Sequence, residues 1–321
     1  MTSTTAPPSH IIPDHPPSDD ARTRRLGASA IALSAVGFGL SPMLATNAFD
    51  HGVSPISAAF VRVASMMLIL SPGAHQLSGW WRETWIVVGG GALSMIGFAG
   101  YFVALDRAPV AAATVVYYTY PVVVLVLSAI VWRRRMLGWE AAVCATVLTG
   151  VALAVGPISV SGPLLVALAP AFAAPLGWGL YLLLLSGPAA AMPTLPKVLA
   201  GSFGGTAILM PIVLATRGWH VMPMTSGAIT SVALLTACTF AVPAVLVSWG
   251  AARSGERATA MIGSAEFAIA VGIGWLFLGD ALSAVQIAGI ALVLAAAVVA
   301  GRRSARAPEQ ADGLPIRLGQ L

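Results

Sequence analysis

Two charged residues, Arg62 and Glu266, stand deep inside apolar runs. At about 1.5 Å per helical residue, Arg62 lies roughly 10 Å from either end of its run, between Pro55 and Ser71. A charge at that depth costs several kcal/mol unless it is paired or faces water. Arg62 therefore reads in two ways. It is a binding point for a substrate carboxylate, or a structural anchor that snorkels or caps backbone carbonyls of a neighbouring helix. Glu266 lies near the middle of a run that follows Arg257. It reads as a protonatable carboxylate that couples proton movement or holds a cationic solute. The alternatives are a neutralising partner for Arg62 and a protonated acid hydrogen-bonded to a helix.

Aromatic residues supply a second set of candidates. Tyr117, Tyr118 and Tyr120 precede Pro121 within one run, where the missing N–H frees a carbonyl and kinks a helix. Tyr117 and Tyr120, three apart, share one helical face. Trp178 lies far enough inside its run to face a cavity. Such rings stack on planar or cationic solutes, or they simply pack the core. Tyr181 and Trp249, nearer run ends, read as interfacial belt residues. Asn47 reads as lining an entrance or capping its helix.

Other chemistries find no residues to carry them. No G-x-x-x-x-G-K-[ST], G-x-S-x-G or H-E-x-x-H sequence occurs. The 5 histidines, His10, His15, His51, His75 and His220, lie in tails or loops. The 2 cysteines, Cys144 and Cys238, sit in apolar stretches and read as small core residues rather than a disulfide or metal site. No catalytic residue, metal or cofactor is expected.

The elements that must position these residues are membrane helices. Of 321 residues, 58% are hydrophobic and 9% charged, against about 25% charged in a soluble domain. This composition excludes a soluble enzyme, a nucleic-acid module and a disordered regulator. A span needs about 20 mainly apolar residues to cross roughly 30 Å of hydrocarbon. Ten runs qualify: 26–48, 55–73, 84–105, 110–132, 139–156, 164–185, 196–216, 227–250, 257–278 and 283–301. They are continuous rather than alternating, so they are helices and not barrel strands. Residues 1–25, rich in Pro, Ser, Thr and Asp, read as a disordered tail and not a signal peptide. Residues 302–321 read as a second tail.

Charge sets the orientation. Of the 17 Lys and Arg, only Arg107 and Arg217 fall in outside loops if the N-terminus is inside, and Arg62 lies within a span. Cytoplasmic loops collect Lys and Arg, so both termini are expected in the cytoplasm. The basic excess, 17 Lys and Arg against 12 Asp and Glu, belongs to these loops and not to a nucleic-acid surface.

The two halves resemble each other weakly. Gly37-Phe38-Gly39-Leu40 recurs as Gly177-Trp178-Gly179-Leu180, 140 positions on. Ala113-Thr114 and Leu137 recur as Ala258-Thr259 and Leu282, 145 positions on. Two related units of five spans must insert with opposite orientation. Secondary transporters use this device and place the substrate site near the midplane between the halves. The expected fold is all-α and integral to the membrane, with ten transmembrane helices as two inverted five-helix repeats, 26–156 and 157–301.

The order of several further motifs carries a family resemblance. They are Gly39-Leu40-Ser41-Pro42, Val53-Ser54-Pro55, Ala59-Phe60-Val61-Arg62, Tyr101-Phe102-Val103-Ala104-Leu105-Asp106-Arg107-Ala108, Tyr120-Pro121, Trp178-Gly179-Leu180-Tyr181, Leu278-Gly279-Asp280-Ala281-Leu282 and Gln286-Ile287-Ala288-Gly289. Over about 26–301 the chain resembles the EamA-type transporters of the drug/metabolite transporter superfamily. It departs from their pattern at Phe38, at Arg133-Arg134-Arg135, at Asp280 and at Glu266, where the family often has proline. The resemblance implies a ten-helix carrier that moves small organic solutes, often outward. The expected activity is a secondary transporter exporting small metabolites such as amino acids or amines by alternating access. A channel or an intramembrane enzyme without a recognisable motif is the alternative. The expected partners are a small-molecule substrate, the lipid bilayer and protons, with no nucleic acid. The expected location is a bacterial inner membrane. The candidate substrate-binding residues are Arg62, Tyr117, Tyr120, Trp178 and Glu266, with Glu266 also coupling protons.

Overall fold

The computed structural model describes residues 21–108, 110–133, 135–156, 161–277 and 283–304. Most of both expected tails, Arg134 and the Leu278–Leu282 motif with its Asp280 lie outside the described residues.

Every regular element among the described residues is helical. In chain order they are α1 (Ala21–Gly39), α2 (Ser41–Asp50), α3 (Pro55–Leu70), α4 (Trp81–Arg107), α5 (Val110–Tyr117), α6 (Tyr120–Val131), α7 (Gly138–Val155), α8 (Gly162–Leu168), α9 (Ala173–Ser186), α10 (Thr194–Arg217), α11 (Ser226–Thr236), α12 (Val242–Ser254), α13 (Glu256–Gly263), α14 (Ala265–Phe277) and α15 (Ala284–Ser304). Local chemistry sets several boundaries. Ser54 caps α3 by accepting the Ser57 N–H at 3.2 Å, and Pro55 opens the helix. Glu140 reaches back to the Leu137 N–H at 3.0 Å and starts α7. Gly255, at φ 80, turns the chain between α12 and α13 in a single residue, a conformation that favours glycine.

Eight helical stretches among the described residues are long and apolar enough to cross a membrane, where the sequence suggests ten runs. One stretch, Pro55–Tyr101, is 47 residues long and holds two of those runs, α3 and α4, joined by tighter turns over Ser71–Trp80. The run at 257–278 is not among the eight. It comprises α13 and α14, of 8 and 13 residues, which adjoin at Ser264. Leu68, Ile69, Ile130, Val166 and Leu276 are exposed, as a lipid-facing surface requires.

Helix pairing follows an exchange between the halves. Helix α1 lies along α12, while α9 lies along α4. Helix α1 also packs on α14, and α9 on α6. Helix α3 packs on α10 and α7 on α15, so these two contacts join the halves directly. Lipid provides little hydrophobic drive between helices, so close backbone approach carries the packing. Gly27 meets Gly250, Gly91 meets Gly201 and Gly150 meets Gly289.

Arg24, Arg135, Arg257 and Arg303 gather at one end. The Arg24 carbonyl accepts from Ser254, and the Arg303 guanidinium lies 5.7 Å from the Trp139 ring centre. The described chain therefore starts and finishes at the same end. Cys144 is buried as expected, whereas Cys238 is exposed, and neither forms a disulfide. In lipid an apolar run does not imply a buried residue, which is why the core reading of Cys238 fails.

Candidate functional site

Two helices break at matching positions. Helix α5 ends at Tyr117 and α6 begins at Tyr120; α13 ends at Gly263 and α14 begins at Ala265. At the first break the Thr119 hydroxyl donates to the Val116 carbonyl at 2.7 Å. At the second the Ser264 hydroxyl donates to the Met261 carbonyl at 2.7 Å. Both residue pairs are 145 positions apart, the offset already seen in the sequence. At both points the backbone stays right-handed helical and tightens only locally, so each break is a kink within a span.

The glycine motif packs in the same paired way. Gly37 is pressed against the Cys238 carbonyl and Pro243, and Gly177 against the Leu93 carbonyl. Gly39 packs against Ile269, and Gly179 against Val123 and Val124. Residues 93 and 238, like 124 and 269, are again 145 apart. Each copy of Gly-x-Gly-Leu thus grips two helices of the other half, one through each glycine. At this offset the counterpart of Glu266 is Pro121.

Glu266 sits in the first turn of α14 and is 8% exposed. Tyr117 and Tyr118 present their phenols to its carboxyl, and Tyr101 and Tyr120 complete its electrostatic surroundings. Among the described residues no Lys, Arg or His forms an ion pair with it. The adjacent Phe267 ring stands edge-on to Tyr118, with centroids 4.9 Å apart.

The rings around Tyr117 link five helices, α1, α4, α5, α6 and α9. Tyr117 lies 5.6 Å from both Tyr120 and Tyr101, and 5.8 Å from Phe98. Phe98 meets Trp178 at 6.4 Å, and Trp178 meets Phe38 at 6.2 Å. Such offset and edge contacts suit the ring quadrupoles. Tyr117 and Trp178 are half-buried, whereas Tyr120 is only 2% exposed. Tyr181 packs between helices. It stacks 5.9 Å from Trp178, and its hydroxyl occupies the space that Gly201 leaves open.

Arg62 projects from α3 toward the join of α11 and α12. Residues Ala237–Ala241 there form one wide π turn, which leaves carbonyls outside the regular ladder. The Arg62 Nη2 donates to the Thr239 carbonyl at 2.8 Å, and its guanidinium lies 5.4 Å from the Phe240 ring centre. Its Nε is enclosed without a hydrogen-bond partner among the described residues. The geometry thus displays the anchoring contact foreseen for Arg62. Tyr117 is also within electrostatic reach of Arg62.

Sequence reasoning counted Lys197 and Arg257 only as loop charges. Both are structural. Lys197 is 1% exposed, and its Nζ donates to the Ala190 and Leu185 carbonyls at 3.3 and 3.5 Å. Arg257 pairs with Glu140 at 2.7 Å and also donates to Ser128 and the Arg135 carbonyl. This network ties α6, α7 and α13 together at the basic end. At the opposite end, the Asn47 amide oxygen accepts from Ser231 at 2.7 Å. A cavity of about 350 Å³ lies beside it, lined by Asn47, His51, Thr230 and Ser231. A second, of about 330 Å³, is lined by Ser54, Ser57, Arg217 and His220. Neither is lined by Glu266 or Trp178.

Two copies of one helical unit, long apolar helices and paired breaks define a multi-pass membrane protein of the transporter class. The EamA-like transporter family matches residues 25–156 and 164–302, and this chain belongs to that family, within the drug/metabolite transporter superfamily. A solved crystal structure, described only as that of a protein, shares the fold with a TM-score of 0.70 and 20% sequence identity. The alignment covers 87% of this chain and 97% of the other. No curated protein matches the chain.

Proposed function

We propose that this chain is a secondary transporter that exports small organic metabolites, such as amino acids, amines and related compounds, by alternating access. In this reading it crosses a bacterial inner membrane ten times, as two oppositely inserted five-helix repeats, 26–156 and 157–301, with both termini in the cytoplasm. The paired breaks at Thr119 and Ser264 support the repeat, and the basic end supports the orientation. The substrate site lies where the two broken helices meet. Trp178 and Tyr117 form its aromatic walls, backed by Tyr120. Arg62 fixes α3 to the π turn and meets the solute beside Tyr117. Glu266 binds and releases the coupling proton.

One observation carries this reading: Glu266 is a buried carboxylate at a helix kink, faced by phenols and, among the described residues, by no cation. A carboxylate so placed is stable as an ion only when something neutralises it, and a carrier can use a proton for that purpose. The test is flux in proteoliposomes under an imposed pH gradient. Saturable solute movement that responds to the gradient is expected. Glu266→Gln is expected to insert normally but to lose the gradient response. Unchanged flux in that variant at every pH removes the role, and flux that never saturates indicates a channel.

A further inference from the structure

Resting on that reading of the site, we infer that the solute is an aromatic or otherwise hydrophobic amine carried as its cation, and that its ammonium group replaces the proton on Glu266. The inference starts from charge. Among the described residues Glu266 has no cationic partner. Arg62 is turned to Thr239 and Phe240, Lys197 to the carbonyls of Leu185 and Ala190, and Arg257 to Glu140. The groups that face the carboxyl are the phenols of Tyr101 on α4, Tyr117 on α5, Tyr118 between α5 and α6, and Tyr120 on α6. Among the described residues, helices α1, α2, α13 and α15, which also pack on α14, add no titratable side chain to that set. Phenols donate hydrogen bonds to a carboxylate but carry no charge to balance it. The balancing charge is left to the occupant.

Shape points the same way. Tyr117, one of the phenols at the carboxyl, continues into a chain of rings through Phe98 and Trp178 to Phe38. Rings attract a desolvated cation and at the same time accept apolar bulk. Glu266 sits in the first turn of α14, just past the kink at Ser264. At the sister break the counterpart is Pro121, so the acid is specific to one half. The exchange balances simply. A protonated Glu266 and an ammonium ion become an ion pair, and the carboxyl proton leaves to water.

Full-length protein in detergent tests this with three probes of one skeleton: 2-phenylethylamine, 2-phenylethanol and phenylalanine. The amine is expected to bind at least about 30-fold more tightly than the alcohol, the factor a buried charge pair supports. In weak buffer at acidic pH, each amine bound is expected to release one proton. Glu266→Gln abolishes both the preference and the proton release, while Glu266→Asp, which keeps the charge, retains them. Equal binding of amine and alcohol, preference for phenylalanine, binding of none of the three, or amine binding without proton release overturns the inference. Saturable counterflow of phenylalanine in proteoliposomes alongside such a result leaves the carrier reading standing. Absence of counterflow for a probe that binds removes the carrier reading instead.

Discussion

The break between α5 and α6 and the break between α13 and α14 share a backbone solution and differ in their side chains. In both, a hydroxyl residue closes the preceding helix onto the carbonyl three residues back. In both, a glycine of the partner half fits against the helix that follows. The first break carries Tyr118, Thr119, Tyr120 and Pro121; the second carries Gly263, Ser264, Ala265 and Glu266. Symmetric backbone places two helix kinks in the interior. Asymmetric substitution then makes one of them an aromatic wall and the other an acid. The chemistry resides in the difference, the architecture in the likeness.

The largest expected effect comes from moving that difference. Glu266→Gln should reduce solute-coupled flux by an amount equivalent to about 2–5 kcal/mol, the loss expected when one side of a buried charge contact disappears. Pro121→Glu combined with Glu266→Pro, which transfers the acid to the other break, should not restore it. Restored flux would show the two breaks to be chemically equivalent. Next comes the basic end of the molecule. Glu140→Gln or Arg257→Leu should lower unfolding stability by about 3 kcal/mol, because each leaves a buried charge without its partner. Thermal unfolding in detergent reads this. The same substitutions should leave the Glu266 proton release intact.

Smaller effects test the likeness. Gly37→Val and Gly177→Val should each destabilise by about 1–3 kcal/mol through overpacking against a backbone carbonyl. Their unfolding temperatures should fall together, and a large disparity would break the pairing of the halves. Smallest are Thr119→Ala and Ser264→Ala, each worth about 1 kcal/mol for one hydrogen bond. Equal small shifts in the same assay support matched breaks.

Much of this was legible in the sequence because lipid imposes simple rules. Continuous apolar runs located the helices, and the depths of Arg62 and Glu266 singled them out. The spacing of Tyr117 and Tyr120 put their rings together. The 140 and 145 offsets marked the repeat before their contacts were known. What stayed hidden depends on tertiary partners. The Glu140–Arg257 pair joins residues far apart in the chain, and no local pattern announces it. Lys197 looks like a loop charge until the α9 end closes over it. Tyr181 sits near a span end, and only Gly90 and Gly201 on neighbouring helices make room for its ring. Ser264 lacks the proline that flags the sister break, so α13 and α14 read as one span.

The wide turn at Ala237–Ala241 has a consequence for how this chain tolerates change in length. One residue removed there would restore a regular helix and swing everything beyond it by about 100° about the axis. The Thr239 carbonyl would no longer point at Arg62, and α12 would present a different stripe to α1. Many substitutions along α11 and α12 should be survivable in a growth selection, whereas single-codon deletions there should be purged.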